Sequence, residues 1–123
     1  MDSLTDIYDE LKALEALIEK SGNHIRSLAI IAANKRAEYE ELKNKALIEM
    51  FAEEAKQNFK RTEAQRCSIY RSMYSTQRLE WQLADNELSA ERDYLKALLG
   101  NQISTEVRRG LVESDLRMAL HAV

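Results

Sequence analysis

The side chains of this chain that could act as metal ligands or nucleophiles are few and far apart. The two histidines, His24 and His121, have no cysteine, glutamate or second histidine at ligand spacing, whereas helical di-iron proteins require Glu-x-x-His pairs. The single cysteine, Cys67, lies close to Ile69 and Tyr70. We therefore predict that it is a small buried side chain rather than a reactive thiol.

A pair of carboxylates is the remaining candidate for catalysis. Glu38 and Glu41 form a Glu-x-x-Glu pair such as all-helical magnesium-dependent nucleotide hydrolases use, but the second half of the chain has no matching pair. A solvated helix face is therefore the preferred interpretation. Because the sequence also has no glycine-rich phosphate loop, nucleophile elbow or Cys-x-x-Cys, we expect a protein that is not an enzyme and holds no metal or cofactor.

A basic segment in the middle of the chain is the feature that could bind a ligand. Between Ala55 and Leu79 six Lys and Arg residues face one acidic residue, although the net charge of the chain is −3. Single-strand binders combine such basic grooves with aromatic side chains on which bases stack, and Phe59, Tyr70 and Tyr74 lie in the segment. The candidate nucleic-acid contacts are Lys56, Lys60, Arg61, Arg66, Arg71 and Arg78. Core packing of the tyrosines and pairing of the basic residues with an acidic first helix remain the alternative.

The composition indicates that helices position these residues. The 123 residues contain no proline and three glycines, and 45% are apolar. Since turns and loops depend on Gly and Pro for their backbone angles, an all-α fold is expected in a single domain, residues 1–123.

The first helix is predicted over about residues 3–52, with Ser3 as its N-cap. With Leu4 at heptad position a, eleven of the fourteen a and d positions up to Glu49 are apolar, which is the pattern of a coiled-coil seam. The register continues unchanged through Gly22 and Asn23, so we expect one continuous helix.

A second helix is predicted over about residues 63–99. Thr62 and Gln65 have the spacing of a capping box, and its apolar face includes Tyr70, Tyr74 and Trp81. Gly100 and Asn101 resemble a helix C-cap, and a short third helix over about residues 105–120 would then present an apolar face of its own. That face comprises Val107, Leu111 and Met118. A bend at Gly100 without a break is the alternative.

The lengths of these helices predict self-association. A helix of about 45 residues is nearly 70 Å long, whereas a compact domain of this size has a radius of gyration near 14 Å. We therefore expect a long antiparallel helical hairpin, similar to a coiled coil, that assembles into a homo-oligomer and so covers its apolar surface. The candidate interface residues are Ile25, Leu28, Ile31, Ala32, Tyr70, Tyr74 and Trp81.

The N-terminal residues, the cysteine content and the longest apolar run bear on where in the cell the protein is expected. The N-terminus carries Asp2, Asp6 and Asp9 where a signal peptide needs positive charge, and one cysteine cannot form an internal disulfide. The longest apolar run, from Leu28 to Ala33, is too short to span a bilayer. A cytoplasmic protein without membrane contact is expected.

Two segments resemble a family of bacteriophage proteins. Ala37-Glu38-Tyr39-Glu40-Glu41-Leu42-Lys43 on the first helix and Asp93-Tyr94-Leu95-Lys96-Ala97-Leu98-Leu99 on the second, with a basic turn near Lys60 and Arg61, are similar in order and spacing to UvsY-type recombination mediators of T-even phages. The resemblance implies a helical-hairpin oligomer that binds single-stranded DNA and helps a recombinase to displace the single-strand-binding protein. It also implies DNA contacts at Lys43 and Lys45, which precede Met50 and Phe51.

Two functions therefore follow as expectations. The first is a non-enzymatic accessory protein of phage recombination or replication, located in the host cytoplasm, that binds single-stranded DNA as a homo-oligomer. The alternative is a protein-interaction module, such as a phage inhibitor of a host defence complex or a structural coiled coil. The acidic cluster Glu38, Glu40 and Glu41 suits the alternative.

Overall fold

The computed structural model describes residues 3–122 and contains three α-helices, α1 (Leu4–Gln57), α2 (Glu63–Met73) and α3 (Ser75–His121). No strand occurs in that range, so the all-α prediction is confirmed, and the long helices α1 and α3 pack against each other. Met1, Asp2 and Val123, which belong to the predicted 1–123 domain, lie outside the described residues. No helix within residues 3–122 has an apolar stretch long enough to cross a membrane.

Helix α1 has a hydrogen-bonded cap at each end. The Ser3 hydroxyl accepts a hydrogen bond from the Asp6 N–H (3.1 Å), as the N-cap prediction requires. The helix runs through Gly22 without interruption and ends five residues later than the predicted residue 52. After Gln57 comes Asn58, whose φ is 54°, and the next N–H, of Phe59, bonds to the Glu54 carbonyl at 3.1 Å. This is a Schellman-type C-cap with asparagine in the left-handed position.

Helix α2 begins with the predicted capping box. The Gln65 N–H donates to the Thr62 hydroxyl (3.2 Å) and the Thr62 N–H donates to the Gln65 side chain (2.8 Å). The single helix predicted over residues 63–99 is divided at Tyr74, where φ is −117° and ψ is 34°. Hydrogen bonds from the Tyr74 N–H to Tyr70 and from the Arg78 N–H to Tyr74 remain. Neither Gly nor Pro marks this interruption in the sequence.

Helix α3 passes through Gly100, so the predicted C-cap and the separate helix 105–120 were wrong. The inward-facing series Ala84, Leu88 and Leu98 continues at heptad spacing to Thr105, which is 2% exposed. Its buried hydroxyl donates to the Asn101 carbonyl at 2.8 Å. The apolar face predicted for the third helix therefore lies on α3, where it is open: Val107, Leu111 and Met118 are 59%, 62% and 68% exposed.

The chain divides into two compact units. The first unit comprises the residues up to Arg26 and those from Ser89 onward, and the second is Ser27–Leu88. The buried apolar residues of the first unit are Ile7, Leu11, Leu14 and Leu98, and those of the second are Leu28, Ala32, Tyr39, Ala46, Met50, Ala84 and Leu88. The seam of α1 thus follows the predicted a and d positions as far as Ala46. Beyond it, predicted d residue Glu49 is exposed, and Met50 and Glu54 are buried instead.

Candidate nucleic-acid interface

The predicted basic contacts lie in the second unit and fall into two groups. Lys56, Lys60, Arg61 and Arg66 surround the connection between α1 and α2, which we call the turn cluster. Arg71, Arg78 and Lys43 line a groove described below. Lys45 is exposed on α1 outside both groups. The two groups differ in how much of their positive charge is paired with acidic side chains.

The turn cluster is organised around the buried carboxylate of Glu54. This side chain accepts hydrogen bonds from the Arg61 N–H at 2.8 Å and from two nitrogens of the Arg66 guanidinium at 2.6 and 3.1 Å. The Arg66 hydrogen bonds are the main reason that the pKa of Glu54 is lowered to about 2, and in turn they raise the pKa of Arg66. The positive charge of Arg66 is therefore directed at Glu54.

Arg61 is engaged in the same way. Its guanidinium lies 3.1 Å from a Glu53 oxygen and 3.6 Å from a Glu54 oxygen, and it stacks over the Phe59 ring at 4.8 Å. Arg66 similarly covers Phe51 at 4.4 Å. These contacts hold the turn between α1 and α2 closed, whereas Lys56 and Lys60 are exposed. The sequence offered no sign that Glu54 would become the centre of this cluster.

The second group lines a groove of about 420 Å³ between α1 and the α2–α3 segment. Its lining residues are Tyr39, Glu40, Lys43, Tyr70, Arg71, Arg78, Trp81, Gln82 and Asp85. We call it the Arg71/Arg78 groove. Neither Arg71 nor Arg78 forms an ion pair with any described residue. Both positive charges are thus free to act on a ligand, although the helix is interrupted at Tyr74 between them.

Aromatic rings form one wall of the Arg71/Arg78 groove. Tyr39 is buried and stacks on Trp81 with ring centroids 5.8 Å apart and planes inclined by 26°. The guanidinium of Arg36 lies 5.6 Å from the Trp81 ring, and the Lys43 ammonium lies 5.4 Å from the Tyr70 ring. Half-buried Trp81 is held in place because its ring stacks on the buried ring of Tyr39. Tyr39 occupies an a position of the predicted seam, whereas Arg36 was not among the predicted contacts.

Acidic residues also line the Arg71/Arg78 groove and limit its positive charge. Glu40 lies 3.8 Å from the Lys43 ammonium, so this pair is largely self-compensating. Asp85 remains beside Arg71 and Arg78. The net positive charge of the groove therefore rests on the two arginines.

Tyr70 remains uncharged within this groove. The pKa of Tyr70 is raised to about 12, first by a hydrogen bond with the Cys67 side chain and second by burial. A neutral phenol adds no negative charge that would repel phosphate. Cys67 itself is half-buried, and α2 contains no buried residue. The expected burial of Cys67 is therefore only partial.

The residues predicted to form an oligomer interface have different surroundings. Leu28 and Ala32 are buried in the core of the second unit. Ile25, Tyr70, Tyr74 and Trp81 are half-buried. Of these seven residues, Ile31 is the one that leaves a large part, 47%, of its surface open.

Comparison with known proteins adds no assignment. No protein-family model, curated protein or solved structure matches the chain. Within residues 3–122 no three His, Cys, Asp or Glu side chains are grouped so that they could hold a metal ion.

Proposed function

We propose that the chain is a non-enzymatic accessory protein of phage-type DNA recombination or replication that binds single-stranded DNA as a homo-oligomer. One observation carries this proposal: Arg71 and Arg78, which form no ion pair with any residue in the range 3–122, lie in one groove with Trp81 and Tyr70. Guanidinium groups bind phosphate, and aromatic faces accept bases of any sequence. A recombinase or a single-strand-binding protein is the expected protein partner.

The arginines and the aromatic residues of the groove have separate roles in binding. Arg71 and Arg78 contact successive backbone phosphates, and a base stacks on Trp81 or Tyr70 at about 1–3 kcal/mol per base. Since every base has an aromatic face, this mode of binding requires no particular sequence. A homo-oligomer repeats the groove once in each copy and so engages several segments of one strand.

Contacts within each unit support an antiparallel hairpin. In the first unit Tyr8 bonds to Glu113 (3.0 Å) and Ser21 bonds to Glu91 (2.9 Å). A later residue of α1 is thus paired with an earlier residue of α3. In the second unit the same order holds, because Lys35 bonds to Glu80 (3.3 Å) and Glu54 bonds to Arg66, which lies earlier in the chain than Glu80.

Replacing both arginines tests the groove. Neutralising one phosphate contributes about −0.7 to the log–log slope of affinity against salt for single strands. The Arg71→Ala/Arg78→Ala variant is therefore expected to lose about 1.4 of slope per chain and to bind more weakly. Fluorescence anisotropy of a labelled oligothymidine across a salt series measures both quantities. The proposal fails for this groove if the variant retains the affinity and the slope of the parent.

A control variant separates this effect from overall charge. Arg92 and Lys96 are exposed residues of the first unit, and replacing both by Ala removes the same charge from the chain as replacing Arg71 and Arg78. We expect this control to keep most of the affinity and nearly all of the slope. Equal losses in the two double variants would indicate a diffuse electrostatic attraction.

The single tryptophan provides a direct signal for stacking. Trp81 is the only tryptophan of the chain, so quenching of its fluorescence by an oligonucleotide reports on this groove. The quenching should be saturable with the same midpoint as the anisotropy. If the anisotropy rises while tryptophan fluorescence stays constant, the bases do not stack at Trp81.

The alternative is a protein-interaction module, such as a phage inhibitor of a host defence complex or a structural coiled coil. The engagement of Arg61 and Arg66 by Glu53 and Glu54 favours it, because it removes two charges from the predicted DNA contact. This alternative predicts no saturable signal with any single-stranded oligonucleotide at low salt.

A further inference from the structure

An exposed apolar stripe runs along the C-terminal half of α3, within the first unit. It consists of Ile103, Val107, Leu111 and Met118, which are 66%, 59%, 62% and 68% exposed. At 100° per residue these four side chains fall within a sector of about 80°. Clustered apolar side chains that stay exposed are typical of surfaces that bind a partner.

We propose that this stripe binds the same stripe of a second copy of the chain, in antiparallel orientation about a twofold axis. The inference rests on the self-association proposed above and names its surface. It places the contact on α3 rather than at Leu28 and Ala32, because those two side chains are already buried against their own chain.

Charges beside the stripe determine the orientation. Glu106 and Arg117 lie eleven residues apart, hence about 16 Å along the axis and within about 20° of each other on one edge of the stripe. When two helices pair antiparallel, equivalent edges face each other. A twofold axis between Leu111 and Val112 therefore brings Arg117 of each copy level with Glu106 of the other.

A parallel pairing would not form these contacts. About a twofold axis that runs along the helices, the edge of one copy that carries Glu106 and Arg117 faces the opposite edge of the other copy, so the two charges would not meet. Arg117 forms no ion pair with the other residues in the described range. Glu106 contacts Arg109 of its own helix at 2.6 Å, which leaves its second oxygen for the partner copy.

The same axis also interleaves the apolar side chains. Met118 of the second copy falls level with position 105, about 3 Å from the levels of both Ile103 and Val107. The two Leu111 side chains meet near the axis. An added Cβ at the neighbouring Gly110 would meet nothing within 4 Å in the single chain, so close approach of a second helix is sterically open there. One register thus satisfies both the charges and the apolar packing.

Glutamate substitutions on opposite sides of α3 test the surface. Leu111→Glu places a charge in the stripe, and Leu120→Glu is the matched control, because Leu120 is 77% exposed and lies about 180° from Leu111 around the helix. The twofold axis places the substitution in both copies, so the loss of binding free energy occurs twice. Leu111→Glu should therefore raise the dissociation constant of self-association by at least about 100-fold. Leu120→Glu should leave it near the parental value. Sedimentation velocity over a concentration series measures both, with circular dichroism to compare helix content.

Charge reversal tests the register without altering the apolar residues. Glu106→Arg and Arg117→Glu should each raise the dissociation constant by about tenfold, and the double variant should return it to near the parental value. A double variant as weak as the single ones would overturn the antiparallel register. If Leu111→Glu retains the parental oligomer mass, the stripe is not the interface, although self-association and DNA binding stand. If the unmodified chain is monomeric at 100 µM, this inference and the proposed homo-oligomer both fail, while the anisotropy measurement still decides DNA binding.

Discussion

Replacing Leu28 by Ala tests whether this residue belongs to the core of one chain or to an interface between copies. A core residue has a predictable effect on the free energy of unfolding. The side chain is 5% exposed in a single chain. Leu→Ala removes three carbon atoms, worth about 2.4 kcal/mol at about 0.8 kcal/mol for each buried carbon. Incomplete closure of the cavity brings measured losses for this substitution to about 2–5 kcal/mol. We therefore expect Leu28→Ala to lower the free energy of unfolding by about 2–5 kcal/mol.

Ile30 supplies the matched control for this prediction. It lies two residues away on the same helix, is also a large aliphatic residue, and is 63% exposed. Since only about a third of its surface leaves water on folding, Ile30→Ala should cost less than about 1 kcal/mol. Any general effect of introducing Ala into α1 is common to both variants.

Urea unfolding followed by circular dichroism gives the two free energies. The measurement is made at two protein concentrations, because association makes apparent stability depend on concentration. A core role predicts that the difference between the two variants is the same at both concentrations. If Leu28→Ala costs no more than Ile30→Ala, or if its cost disappears on dilution, the assignment of Leu28 to the core of the second unit is wrong.

Three further predictions concern single residues. Gly22→Ala should raise the free energy of unfolding by about 0.5–1 kcal/mol, because α1 continues through this position and an added Cβ meets nothing within 4 Å. An unchanged or lower free energy in urea unfolding would contradict this prediction. The pKa of Glu54 is lowered from 4.5 to about 2, so its stabilising contribution is complete above pH 4.5 and is lost as the pH falls toward 2. The urea midpoint of Glu54→Gln should consequently change less between pH 5 and 3 than that of the parent or of the exposed-site control Glu41→Gln, and parallel curves for all three would refute the role of Glu54. A thiol reagent should modify half-buried Cys67 more slowly in native buffer than in denaturant, and equal rates would show that the folded chain does not protect the sulfur.

The sequence predicted the fold where local patterns were strong. The heptad series of α1 identified its inward positions as far as Ala46, and Thr62 with Gln65 identified the start of α2. It failed at Gly100, because glycine favours a C-cap only when the chain has reason to turn there. The packing of Leu98 and Thr105 on one face of α3 keeps the helix continuous.

The candidate site was predicted only as a collection of charges. Residue types showed that the central segment is basic, but the structure separates Arg61 and Arg66, engaged by Glu54, from Arg71 and Arg78, which are not. This distinction depends on which acidic side chain of α1 approaches each arginine. That approach is set by tertiary contacts and by the interruption at Tyr74, neither of which has a sequence signal.

The buried carboxylate of Glu54 also restricts how the helices can be aligned. Apolar heptad residues resemble one another, so a helix displaced by seven residues along its neighbour would still bury leucines and alanines. Glu54 has no such freedom, because Arg66 and the Arg61 N–H reach it in one alignment only. A displaced pairing would leave a charge buried without a partner, which is far less favourable than a misplaced methyl group. One acidic residue beside the turn thus discriminates against slipped pairings that the apolar seam alone would tolerate.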